Sequence, residues 1–335
     1  MTTNYDIQTR FLNAIKQMLP ASTSLVSELS DLLQVSNDSA YRRIRGETLL
    51  SLDEIAKICQ HFKFSLDSLF NIDVGTVTFN YKMLKGIEQY KEYLESIVKD
   101  LTMIAESEDS EIVYAATDIP LFHHFRYPKL TAFKMFYWLR AVVNDPELVN
   151  ERFSFNIISQ ELIELGRKVY DLYSIIPSNE LWTNATITSN LKQIEYFWDS
   201  GVFMSQNDAL DICNELREEI SFIQRQAELK SKVIFSDQVK SGHEDNFLLH
   251  VSDIEIGNNC ILVRMNKFKG VYISHQTFNK LFTTNTWFTE ETSLWLSGII
   301  QKSTLISGVA EKIRYQFFRD ILKQIDKLVA KISNA

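Results

Sequence analysis

Three arginines fall within four positions, Arg42, Arg43 and Arg45, in the segment VSNDSAYRRIRGE. Each guanidinium presents a planar fork of N–H donors that matches phosphate oxygens or the edge of a base, and it stays charged at physiological pH. That is the chemistry of recognising an anion rather than of breaking bonds. The whole chain leans the other way, with 43 Asp and Glu against 35 Lys and Arg and a formal net charge of −8. Such a balance argues against coating nucleic acid or an anionic membrane with the entire surface, so an anion site here has to be small and oriented.

Short helices must hold these arginines in place. Ile7, Phe11, Leu12, Ile15 and Leu19 recur at helical spacing and predict a first helix ending near Pro20. A second helix after Ser24 turns Val26, Leu29, Leu32 and Leu33 inward. Ser36 caps a third, in which Ala40 and Ile44 share a buried face. Asp38, Arg42 and Arg45 then point outward, with Ser39 and Tyr41 on the flanks. Ser51 and Glu54 have the spacing of a capping box ahead of Ile55, Ile58, Cys59 and Phe62, and Ser65–Phe70 closes the series as a fifth helix.

The stretch LSDLLQVSNDSAYRRIRGETLLSLDEIAKICQHFKFSLDSLF, about a fifth of the chain with the helix before it, resembles the phage-repressor-like (Xre or Cro type) helix-turn-helix family. The words SAYRRIRGE also resemble the N-terminal domain described in some bacteria as a betaine regulator. The first resemblance implies a five-helix, lambda-repressor-like DNA-binding domain over residues 1–70, with the helix from Asn37 to Arg45 entering the major groove. In register with that family, Asn37, Asp38, Ser39 and Arg42 would face bases behind the Ser36 cap. Tyr41, Arg43, Arg45 and Thr48 would meet phosphates. Two positions depart from the pattern: Gln34 stands where glycine is common in the turn, and Val26 where a glutamine contacts phosphate. The four-residue step from Ala40 to Ile44 also rotates the exposed face and leaves the choice between Arg42 and Arg43 open. Residues 1–70 hold seven basic and eight acidic side chains, so one copy is expected to grip DNA weakly and useful affinity to need two copies on one duplex.

Residues 71–81 alternate in polarity and read as an extended linker. From Tyr81 a helical stripe runs through Leu84, Ile87, Tyr90, Leu94, Ile97, Leu101 and Ile104, suited to internal packing or a dimer seam. An aromatic segment follows, from Phe122 to Trp138, of the kind that forms a core or the wall of a pocket; His123 and His124 within it have no third metal ligand at suitable spacing. Further helices are predicted at 158–174, 187–200, 206–230 with Ser205 as cap, 287–302 and 303–332. Breaks at Gly257-Asn258-Asn259 and Lys269-Gly270 predict a small three-stranded antiparallel meander near 246–275. The expected fold is therefore mainly α: the five-helix domain, and residues 82–335 as a large, mostly helical effector or oligomerisation domain carrying that meander.

No repeat of about 34 residues, catalytic motif, phosphate loop or dinucleotide fingerprint is found, and Cys59, Cys213 and Cys260 lie too far apart for a disulfide framework or a metal spacing. With no signal peptide or membrane span in the sequence, the expectation is a cytoplasmic transcriptional regulator, not an enzyme, without metal or cofactor. Its expected partners are double-stranded DNA, a second copy of the chain in a homodimer, and a small-molecule or peptide effector, with no membrane. The alternatives are a protein-interaction module using the same helical face and an unrecognised enzyme in the second domain.

Overall fold

The computed structural model describes residues 5–19, 23–62, 66, 75–235, 238–239, 245–266, 268–276 and 279–335. The chain forms two compact units, residues 1–78 and 79–335. Among the described residues no helix is long and apolar enough to cross a membrane.

The first unit contains α1 (Tyr5–Met18), α2 (Leu25–Leu33), α3 (Asn37–Ile44) and α4 (Leu52–Phe62). Phe11, Leu12 and Ile15 of α1 meet Leu25, Leu29 and Leu33 of α2, Ala40 of α3 and Ile58 of α4 in one buried cluster. The expected fifth helix lies outside the described residues except for Leu66.

The second unit overturns the expectation of a mostly helical domain with a small meander. Its strands are β1 (Asn80–Tyr81), β2 (Glu111–Ala115), β3 (Ser178–Trp182), β4 (Ile234–Phe235), β5 (Gln238–Val239), β6 (Phe247–Val251), β7 (Cys260–Met265), β8 (Phe268–His275), β9 (Asn279–Thr283) and β10 (Thr304–Leu305). Eight of them make one mixed sheet in the order β1-β9-β8-β7-β2-β3-β6-β10, with β4 and β5 as a separate pair. The centre, β2-β3-β6, is parallel, and the remaining pairings are antiparallel. The helices are α5 (Ile87–Ala105), α6 (Leu121–His124), α7 (Pro128–Trp138), α8 (Gln160–Ile175), α9 (Thr188–Asp199), α10 (Gln206–Leu229), α11 (Thr286–Gln301) and α12 (Glu311–Ser333).

The strand alternation explains the layers. Ile112 and Tyr114 of β2 join the large cluster built from α5 to α10 and α12, whereas Val113 and Ala115 face a smaller one completed by Leu296 and Ile299 of α11. With both faces covered, β2 carries no polar period for a sequence reading to detect, as is usual for parallel strands. The predicted meander fails for two reasons. Strand β6 pairs with β3 and β10 rather than β7, and Lys269-Gly270 lies inside β8, not at a turn. Gly270 is small because a Cβ there would come within 2.8 Å of the Phe282 ring on β9. The predicted helix 303–332 is likewise shortened: Thr304-Leu305 pairs with β6, Ile306 enters the core, Val309 is fully exposed, and α12 begins at Glu311. The stripe from Tyr90 to Ile104 packs inside its own unit.

Buried ionisable groups tie these layers together. Glu180 of β3 is completely buried; its Oε1 accepts from His123 Nε2 at 2.8 Å and from the Tyr173 hydroxyl at 2.6 Å, and its Oε2 from Trp182 Nε1 at 2.8 Å. Burial works to raise its pKa, but His123, Tyr173 and Lys232 together hold it below the ordinary value. Lys232 Nζ donates at 2.6 Å to the carbonyls of Tyr173 and Ile176 at the end of α8, and burial pushes its pKa down to about 7.

His124 sits beside Glu219 of α10, with Nδ1 2.8 and 3.0 Å from the two carboxyl oxygens. Burial pushes Glu219 up to about 8 and His124 well below its ordinary value, so at neutral pH the pair is an acid and a neutral ring. Between about 4.5 and 8 the folded protein keeps a Glu219 proton that the unfolded chain has released, and stability from this group falls as pH rises through that window. Glu219→Gln is expected to remove this slope, at most roughly 1.4 kcal/mol per pH unit, so that parent and variant diverge in urea midpoint between pH 5 and 8 with the variant gaining. Parallel pH profiles would contradict it.

Candidate nucleic-acid interface

Local chemistry shapes the α2-turn-α3 element. Gln34 ends α2 in the left-handed region at φ 55° and ψ 46°, and Val35 N donates to the Ser30 carbonyl. A side chain pays a strain of about 1 kcal/mol there that glycine avoids. Gln34→Gly is therefore expected to stabilise the first unit by about 0.5–1 kcal/mol, read as slower native-state hydrogen exchange in α2 and α3. Faster exchange would show that the glutamine side chain contributes something glycine lacks.

Ser36 caps α3 by accepting from Ser39 N at 3.2 Å. Ala40 is fully buried against the unit's core, which orients the rest of the helix. Asn37, Asp38, Tyr41, Arg42 and Arg45 are exposed, and Ser39 and Thr48 are half-buried. Arg42 and Arg45 both reach toward Glu47, with Nε to carboxylate distances of 3.8 and 3.0 Å. Glu47 thus partly neutralises the two outward guanidinium groups.

Arg43 is placed differently. Its side chain is only 15 % exposed and donates through Nε and Nη2 to Glu54 Oε1, at 3.1 and 2.8 Å, and through Nη1 to the Ser39 carbonyl. Glu54 also accepts from Ser51 N at 2.9 Å while Ser51 Oγ accepts from Glu54 N at 3.2 Å, completing the capping box of α4. Burial works to raise the Glu54 pKa, but the Arg43 hydrogen bond and charge and the Ser51 N–H bring it below the ordinary value. The open choice between Arg42 and Arg43 thus has a geometric answer: Arg42 faces outward, and Arg43 braces α3 against the start of α4.

Gln8 of α1 escaped the sequence reading. Its Nε2 donates to the carbonyls of Arg43 and Thr48 at 2.8 and 2.9 Å, and its Oε1 accepts from Leu50 N at 2.8 Å. One amide therefore satisfies three backbone groups of the α3–α4 connection. Gln8→Ala is expected to destabilise the first unit by about 2–3 kcal/mol and to speed amide exchange at Leu50 most. Unchanged exchange at that amide would rule out the pinning role. No short-range signal marks Gln8, since its partners lie 35 to 42 residues away.

Residues 6–79 match the model of the BetR domain, a helix-turn-helix-like DNA-binding domain family. The match spans the first unit and less than half of the chain. No curated protein and no solved structure matches the chain.

Proposed function

We propose that the chain is a sequence-specific transcriptional regulator of the phage-repressor-like type, in which α3 enters the major groove. Arg42, Asn37, Asp38 and Ser39 read base edges; Tyr41, Arg45 and Thr48 engage phosphates, and Arg43 contributes to phosphate contact chiefly by holding the helix end in place. The observation that carries this reading is the sorting of the arginines. Arg42 and Arg45 are 54 % and 58 % exposed on a capped helix, while Arg43 is committed to Glu54. The similarity of residues 6–79 to a DNA-binding domain family supports the same conclusion.

Because the first unit carries no excess of positive charge, the regulator acts as a pair of copies on a roughly two-fold operator, with recognition helices about 34 Å apart. Residues 79–335 serve sensing or oligomerisation rather than catalysis. The test is operator selection from random duplexes with the full chain, followed by affinity measured against salt. A recovered motif with two-fold symmetry, and a logarithmic affinity that falls linearly with logarithmic salt, are expected. Failure to enrich any sequence, or salt-independent association with duplex, would overturn the reading and favour a protein partner for the same face.

A further inference from the structure

A cavity of about 120 Å³ lies within the second unit, bounded by α5, the aromatic segment and the sheet. Ile97, Leu101 and Ile104 of α5 and Ile261 of β7 form apolar wall, and Tyr137 and Trp138 add aromatic surface. For scale, an engineered apolar cavity of roughly 150 Å³ holds benzene, so the space suits a body of about one ring.

One end of this cavity is polar and holds buried donors that no acceptor meets. Lys134 of α7 lines it, is 8 % exposed, and donates from Nζ to Asn190 Oδ1 at 2.9 Å and to Gln193 Oε1 at 2.7 Å. No carboxylate among the described residues comes within ion-pair distance of Nζ, and one of its three N–H donors is left over. His124, also lining the cavity and 1 % exposed, has no hydrogen-bond partner at Nε2. Its Nδ1 faces Glu219, whose carboxyl bonds nothing else, so in the neutral pair the acid donates to Nδ1 and Nε2 carries the ring hydrogen. Asn190 Oδ1 is already occupied by Lys134 and its Nδ2 has no hydrogen-bond partner; the Asn190 side chain lies behind the cavity wall and works to raise the His124 pKa. Asp118, an acidic wall residue whose charge acts on both Lys134 and His124, accepts from Asn259 Nδ2 at 2.5 Å and forms no ion pair with either. Buried donors of this kind are costly to leave without an acceptor.

We propose that this cavity binds a small monocarboxylic acid with an apolar body, its carboxylate accepting from Lys134 Nζ and His124 Nε2. A larger neighbouring cavity of about 480 Å³ shares Asp100, Tyr272 and Lys280 with it. Lys280 Nζ meets Asp100 Oδ2 at 3.0 Å in that common wall. The proposal deepens the sensing role assigned above and rests on it only for the consequence at DNA; binding itself is tested without DNA, so failure here and failure of operator selection are separate results.

The test uses the full chain, calorimetry and tryptophan fluorescence, and benzoate, phenylacetate, 3-methylbutanoate and hexanoate as probes, with 2-phenylethanol and 2-phenylethylamine as neutral and cationic controls. At least one acid is expected to bind, about tenfold or more tightly than either control. Lys134→Met should erase the preference for acid over alcohol. Ile104→Phe, which fills the cavity and alters no polar group, should abolish binding of every probe and keeps the proposal testable if the lysine variant does not fold. Absence of binding by all four acids, equal binding of the controls, or parent affinity in a folded Lys134→Met protein would overturn the proposal.

Discussion

Full-length protein carrying Arg42→Ala and Arg45→Ala is expected to bind its selected operator at least about a hundredfold more weakly than the parent. A bidentate contact from arginine to guanine contributes about 1–3 kcal/mol of discrimination, and a lost phosphate contact lowers affinity for every sequence alike. The two single variants should therefore differ in kind. Arg42→Ala relaxes the preferred sequence, whereas Arg45→Ala leaves the motif intact and lowers the salt slope by about 1 for each copy on the duplex. Both side chains are exposed and, among the described residues, their ion-pair partner is the exposed Glu47, so neither change is expected to unfold α3. Glu47→Gln carries the opposite sign: removing the carboxylate that competes with DNA for both guanidinium groups should strengthen binding. Gel-shift titrations of the parent and these four variants at two salt concentrations decide the matter. Equal affinities across the set would mean that α3 does not touch DNA.

Glu180→Leu is expected to cost the second unit about 3–5 kcal/mol of stability. The change leaves three buried donors, His123 Nε2, the Tyr173 hydroxyl and Trp182 Nε1, without their acceptor, and removes a buried negative charge that acts on Lys232. Glu180→Gln retains one carbonyl acceptor and should fall between parent and leucine variant. All five tryptophans lie between positions 138 and 295, so fluorescence-detected urea unfolding of the full chain reports this unit alone. The Glu180 pKa lies below its ordinary value when folded, so its contribution is present above about pH 4.5 and is lost on acidification through the folded value. A leucine variant with the parent's midpoint at pH 7 would show that the cluster is already compensated.

Much of the first unit was legible because its signals are short-range. Ser36 three residues before Ser39, Ser51 before Glu54, and Ala40 one turn before Ile44 each act within a single helical turn, and the structure realises the two caps where the spacing places them. Ser205 and Asp208 at the start of α10 follow the same rule. The central sheet was missed because its strands violate the patterns that make strands visible. Strand β2 is buried on both sides, and β3, with the sequence SNELW, carries a polar Asn179 and a fully buried Glu180 that local propensity assigns to neither strand nor core. Glu180 is tolerated there only because His123 arrives from 57 residues away and Tyr173 from the end of α8.

The sequence by itself determined the caps, the helical periods and which side of α3 faces its own core, since each depends on residues within about four positions of one another. Tertiary structure alone decided that Arg43 braces while Arg42 stays outward, that Gln8 holds a loop across the unit, and that Lys134 and His124 converge on one cavity. Those outcomes depend on partners 11 to 95 residues apart, where hydrogen-bond geometry and burial are fixed by the packing of whole layers rather than by spacing along the chain.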